Sequence, residues 1–158
     1  MTFHDGTPFN ADAVVNHWQR LLNPENRFRG LLFLRPIVSV EKRGDDEVQF
    51  LLKYAWLPFD TFLTSPSGFT ALIPSPKAVR DGVHNRAPVG TGPFIFKEWK
   101  PGDRMVVTKN PEYWQKGKPY LDEVVCRPIP DHESRYAALA SGQADMMITD
   151  RPTHVKKL

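Results

Sequence analysis

Two histidine–acid dipeptides, His4-Asp5 and His132-Glu133, are where proton transfer or metal ligation would first be sought. A zincin-type helix needs histidines at i and i+4 with glutamate beside the first, so that both imidazoles share one face. Four residues after His132 stands Tyr136, and His17, His84 and His154 fall in separate segments that no spacing unites. Nucleophilic chemistry fares no better. The chain has no Gly-x-Ser-x-Gly elbow, and Ser67, in Ser65-Pro66-Ser67-Gly68, lacks the strand-to-helix setting that exposes such a serine. Gly90-Thr91-Gly92 resembles a phosphate loop only until the next residue, since a P-loop closes with Gly-Lys-Ser/Thr and opens a helix. Pro93 follows instead, so the glycines read as a turn that needs permissive φ. The one cysteine, Cys126, excludes an internal disulfide, and in Val124-Val125-Cys126 it reads as a buried, inert thiol. No catalytic residue, metal site or cofactor is expected.

The elements around these residues follow from apolar spacing. Ala11, Val14, Val15, Trp18, Leu21 and Leu22 repeat at helical intervals over 11–22. Asn10 is a suitable N-cap, and Asn23-Pro24 ends the helix because proline disfavours helical geometry in the residue before it. Residues 24–35 read as a loop or short helical turn. Residues 37–42 and 47–53 read as a hairpin about Gly44-Asp45-Asp46, with Val48, Phe50 and Leu52 on one face. A helical turn is expected within 58–63, a short buried strand at 71–73, and a Ser75-capped helix reaching Asp81. The second half reads as strands at 94–99, 105–109 and 121–129. An Asp131-capped helix then runs to about Ser141 with Gly142 as its stop, and a last strand covers 144–149. Trp18 is expected in the core, as are Trp99 and Trp114; Trp56 is left open between core and cleft.

Composition narrows the class. In 158 residues, 41% are hydrophobic and 25% charged, as in a soluble globular domain, and 15 prolines imply short elements joined by shaped loops. The net charge of +3 comes from 21 basic and 18 acidic residues with interspersed signs, and only Lys116-x-Lys118 and Lys156-Lys157 are tight basic groups. A nucleic-acid binder concentrates its charge on one face or arm, so that class is set aside. No apolar run is long enough to span a membrane, and residues 1–5 have no basic-then-apolar leader.

One series goes beyond general packing rules. Phe3-His4-Asp5-Gly6-Thr7-Pro8-Phe9-Asn10-Ala11-Asp12-Ala13-Val14 is followed by Pro88-Val89-Gly90-Thr91-Gly92-Pro93-Phe94 and then by Asn110-Pro111-Glu112-Tyr113-Trp114. Next come Lys118-Pro119-Tyr120-Leu121-Asp122, Arg127-Pro128-Ile129-Pro130-Asp131 and Leu139-Ala140-Ser141-Gly142-Gln143-Ala144-Asp145. In content and order this resembles the family 5 solute-binding proteins of bacterial peptide and nickel ABC importers, with Gln143 where glutamate is commoner.

The resemblance implies a periplasmic-binding-protein type II-like fold of mixed α/β class, of which this chain would be a partial first lobe. Residues 1–85 would form that lobe's smaller subdomain, and 86–158 the strands and helix that rejoin its main sheet. A signal peptide and a second lobe would lie elsewhere in a longer polypeptide. It further implies ligand contacts at Ile148, Thr149 and Asp150, and a ligand-facing loop at Ser67, Gly68 and Phe69. The implied function is capture of di- or oligopeptides in the periplasm or at the cell surface. A full-length monomer would deliver them to an ABC permease, its only tie to the membrane. Nickel-chelate, haem or another solute are alternatives within the family; a stand-alone interaction domain or a small hydrolase are alternatives outside it.

Overall fold

The computed structural model describes residues 1–64, 70 and 72–155. Helix α1 (Ala11–Leu22) forms where the periodicity places it. The Asn10 side chain accepts from the Ala13 N–H at 3.1 Å, and the helix ends at Asn23, whose backbone is extended before Pro24. Ala11, Ala13, His17, Trp18 and Leu21 are buried. Two short 3-10 turns, Pro24–Asn26 and Leu31–Leu34, lead into the antiparallel hairpin of β1 (Ile37–Lys42) and β2 (Val48–Leu52).

Helix α1 lies across this hairpin, and the core forms between them. Trp18, Leu21, Leu34, Ile37 and Val40 are its buried centre, flanked by Val48, Phe50 and Leu52. Trp18 meets Phe50 edge-on at 5.1 Å, and Phe50 meets Phe59 of α2 (Phe59–Thr64) at the same distance. Trp56 closes the cluster against Phe62 at 4.9 Å, so this tryptophan covers the core rather than standing free.

Helix α3 (Pro76–Arg80) is capped by Ser75, which is fully buried. Strands β3 (Phe94–Lys100), β4 (Arg104–Lys109) and β5 (Glu123–Cys126) then form an antiparallel sheet in the order β3-β4-β5. A 100–104 reversal at Gly102, whose φ is +79°, joins the first two. Helix α4 (His132–Ala140) and the short α5 (Pro152–Val155) complete the order.

Several expectations are corrected. Strict alternation would set Trp99 opposite Phe96, but a bulge between Phe96 and Glu98 adds one residue and returns Trp99 to the Phe96 face. There Trp99 pairs with Met105, and Met105 with Cys126, in one cross-strand row. The Arg86 guanidinium lies over the Trp99 ring at 5.3 Å, but no described helix or strand covers that row; Trp99 is 44% exposed and Cys126 is exposed rather than buried. Trp114 is likewise outside the core at 61% exposure. Strand β5 is shorter than 121–129, because Pro128 and Pro130 cannot donate to a ladder. Leu72 is 73% exposed outside any strand, while Ala71 lies outside the described residues. Residues 144–149 form no strand; no described neighbour offers them an edge, and Met146 and Ile148 stand exposed.

The glycines at 90 and 92 are also not what a tight turn would require. Neither has positive φ, and a Cβ at either would meet nothing within 4 Å. Their backbone instead ties the halves together. His4 N–H donates to the Gly90 carbonyl and Ser75 N–H to that of Val89, both at 2.9 Å, while His4 Nε2 donates to the Gly92 carbonyl at 3.0 Å. Asp5 anchors the same seam. It accepts from the Ser75 hydroxyl at 2.5 Å and from the Thr7 backbone at 3.0 Å. Partial burial works to raise its pKa, but the bonds from Ser75 and Thr7 prevail and hold it below the usual carboxylate range.

Candidate functional site

The expected ligand segment, Ile148 to Asp150, is positioned from the end of α4. Gly142 takes φ +74° after Ser141, and the N–H groups of Gln143 and Ala144 both return to the Ala138 carbonyl, at 2.8 and 3.0 Å. That left-handed step aims the chain away from the helix axis. Ile148 emerges 83% exposed, Thr149 is half-buried and Asp150 is exposed. The Thr149 hydroxyl accepts from the Arg151 N–H at 3.1 Å, which fixes the local bend.

The start of α4 meets the same segment. Asp131 caps the helix by accepting from the Ser134 hydroxyl at 2.6 Å and the Ser134 N–H at 2.8 Å, and these bonds hold its carboxyl below the usual range. His132 Nδ1 lies 2.7 Å from the Arg135 guanidinium and 3.5 Å from Asp150 Oδ1. The sequence reading missed His132 and Arg135 as neighbours of Asp150. Their i, i+3 spacing on an Asp131-capped helix was the available signal, since it puts both side chains on one face.

An exposed aliphatic side chain, a hydroxyl and a carboxylate in series can bind a ligand's apolar, polar and cationic groups. Ser67, Gly68 and Phe69 lie outside the described residues. No group of three or more His, Cys, Asp or Glu among the described residues could hold a metal ion. Two shallow hollows lie elsewhere. One of about 330 Å³ sits over Trp99, Met105 and Cys126, and one of about 360 Å³ over Phe94, Tyr113 and Tyr120. Neither is lined by Ile148, Thr149 or Asp150. Among the described residues, no helix is long and apolar enough to cross a membrane.

The model of the bacterial extracellular solute-binding proteins, family 5 Middle, matches residues 1–158. The chain belongs to that family. A relative, the glutathione-binding protein GsiB of Pectobacterium atrosepticum, is 37% identical over 147 residues, which is 90% of this chain and 27% of that protein. The chain thus spans little more than a quarter of the relative's length. The periplasmic binding protein AgaA of A. tumefaciens R10, solved with agropinic acid, superposes with a TM-score of 0.80 at 31% identity, over 90% of this chain and 29% of that one. DppA of Helicobacter pylori, solved with the peptide STSA, superposes at 0.79 with 26% identity, over 100% of this chain and 34% of that one. The mixed α/β architecture with antiparallel sheets is therefore that of family 5 periplasmic binding proteins, as the resemblance implied.

Proposed function

We propose that the chain is part of the first lobe of an ABC importer's substrate-binding component, which captures di- or oligopeptides outside the cytoplasmic membrane and delivers them to the permease. The observation that carries this reading is the 37% identity, over 90% of the chain, to a protein that binds glutathione, itself a peptide. The DppA complex with a tetrapeptide supports it. Residues 1–85, which hold α1 and the β1–β2 hairpin, are the smaller subdomain; residues 86–158, with the three-stranded sheet and α4, rejoin the main sheet.

Ile148, Thr149 and Asp150 supply one wall of the cleft. The Asp150 carboxylate suits a peptide ammonium, and the main chain at Ile148, which lies outside any strand, suits pairing with an extended peptide main chain. Pairing with the main chain reads few side chains and so admits many sequences. A second lobe closes over the ligand, whose greater affinity for the closed form shifts the population toward it. A second reading, a small acidic solute in place of a peptide, is favoured by the agropinic acid held by AgaA.

Native mass spectrometry of the full-length polypeptide tests both. A spread of released peptide masses supports the peptide receptor, and a single non-peptide mass overturns it in favour of the second reading. Alone, the 158-residue chain should bind peptides poorly, because it lacks the opposite wall; micromolar affinity in a titration would contradict the lobe assignment.

A further inference from the structure

We propose that His132 and Arg135 position Asp150, and that the proton on His132 Nδ1 selects between two arrangements of that carboxylate. The arrangement stands on geometry alone; its consequence for capture rests on the reading of Asp150 as a ligand contact.

Nδ1 of His132 has two claimants, the Arg135 guanidinium at 2.7 Å and Asp150 Oδ1 at 3.5 Å. A guanidinium only donates, and an ionised carboxylate only accepts. One ring nitrogen carries either a proton or an in-plane lone pair, so it cannot satisfy both. The shorter distance identifies the neutral state with the proton on Nε2, in which Nδ1 accepts from Arg135. In that state the nearby lone pair gives Asp150 nothing, and the carboxylate stays open to solvent or to a ligand cation. Adding a proton to Nδ1 reverses both relations. The imidazolium repels Arg135 and donates to Asp150, drawing the carboxylate onto the start of α4.

Charges of both signs touch the imidazole, Arg135 from its own helix and Asp150 from the segment beyond, and further charged groups stand next to these in sequence. Asp131, Glu133 and Arg135 come from α4, with Tyr136 beyond them, and Asp150 and Arg151 come from the segment that follows. Asp131 lies within electrostatic reach of both His132 and Arg151, after the Ser134 bonds that dominate its environment. The His132 side chain is 29% exposed, covered enough to have a defined place and open enough to exchange protons with solvent. Histidine is also the side chain whose charge ordinarily changes between pH 5 and 8.

Under the ligand-contact reading, His132 and a peptide ammonium compete for Asp150 at low pH and not at high pH. Affinity should rise from pH 5.5 to pH 8 by about two- to fivefold, the range an exposed ion pair commands.

The test has two readouts. Nitrogen NMR of histidine-labelled protein, with the His132 signals assigned through H132Q, reports the tautomer directly. At pH 8 wild type should show the Nε2–H form, and R135Q a mixture of both neutral forms. A mixture already present in wild type and unmoved by R135Q overturns the proposal. Glutathione affinity of the full-length protein at pH 5.5 and 8 is the second readout. A ratio that falls to one in both H132Q and D150N supports the arrangement and the ligand contact together. The expected tautomers with a pH-independent wild-type affinity support the arrangement and remove Asp150 from the ligand contacts.

Discussion

His4 and Asn110 donate to one acceptor, the Gly92 carbonyl oxygen, at 3.0 and 3.1 Å. Three separate motifs therefore meet at a single atom: the His-Asp-Gly turn near the start, the Gly-Thr-Gly-Pro stretch before β3, and the Asn-Pro-Glu-Tyr-Trp run after β4. Asn110 is nearly buried and its own Oδ1 accepts from the Glu112 N–H at 3.0 Å, so it shapes the chain on both sides of β4. Removing one donor leaves a partly buried oxygen half-satisfied, which typically costs about 1 kcal/mol. We expect His4→Ala to cost about that much and Asn110→Ala more, because it breaks two bonds. Urea unfolding of both singles and the double should show coupling; strict additivity would argue that the two donors act independently.

Trp18 and Trp114 should behave oppositely. Trp18 is 2% exposed and meets Phe50 edge-on, so Trp18→Ala should remove about 3–5 kcal/mol, much of a small domain's stability. Trp114 is 61% exposed, and Trp114→Ala should stay within about 0.5 kcal/mol. Thermal unfolding of the two variants side by side decides this, and similar losses would place Trp114 in a core that the fold does not show.

His17 makes stability depend on pH. It is 3% exposed, and among the described residues neither ring nitrogen makes a hydrogen bond of good geometry. Burial first, then the Arg20 charge, lower its pKa from 6.5 to about 4, and the nearby Thr70 backbone opposes this without reversing it. The fold therefore prefers the neutral ring while the unfolded chain accepts a proton more readily. Its contribution is complete above pH 6.5, falls as the pH drops toward 4, and levels off below that, by roughly 3 kcal/mol at most. His17→Leu should flatten the urea midpoint across that window. Asp5 adds a separate loss at lower pH, as its depressed carboxyl takes up a proton.

Cys126 should react with a thiol reagent in the native state, with one equivalent modified and no denaturant needed, because its side chain is exposed beside Met105. A thiol that reacts only after unfolding would mean that the Trp99–Met105–Cys126 row is covered.

Local rules made the first half legible. Helix α1, its Asn10 cap and its proline stop follow from spacing and capping chemistry, and the β1–β2 hairpin follows from alternation and its Gly-Asp-Asp turn. The Asp131 cap and the Gly142 stop of α4 were equally readable. What escaped depends on partners distant in sequence. The bulge that moves Trp99 across the sheet leaves no signal in the alternation, and a valine-flanked cysteine looks buried until that end of the sheet face is seen without a helix or strand over it. The candidate site divides the same way. Ile148 to Asp150 came from family resemblance, while the contact of His132 with Asp150 needed the turn at Gly142 to bring the segment back beside the helix start.

The shared acceptor at Gly92 is a main-chain oxygen, and that shapes how this region can drift over generations. No codon change at position 92 deletes it, and the open space around that residue admits a side chain. Heritable variation therefore acts through the donors. A lineage that loses the imidazole at position 4 leans harder on the amide at position 110, so a change harmless in one background becomes damaging in the other. Descendants of this sequence should carry the two positions as an epistatic pair, joined through an atom that no mutation at position 92 removes.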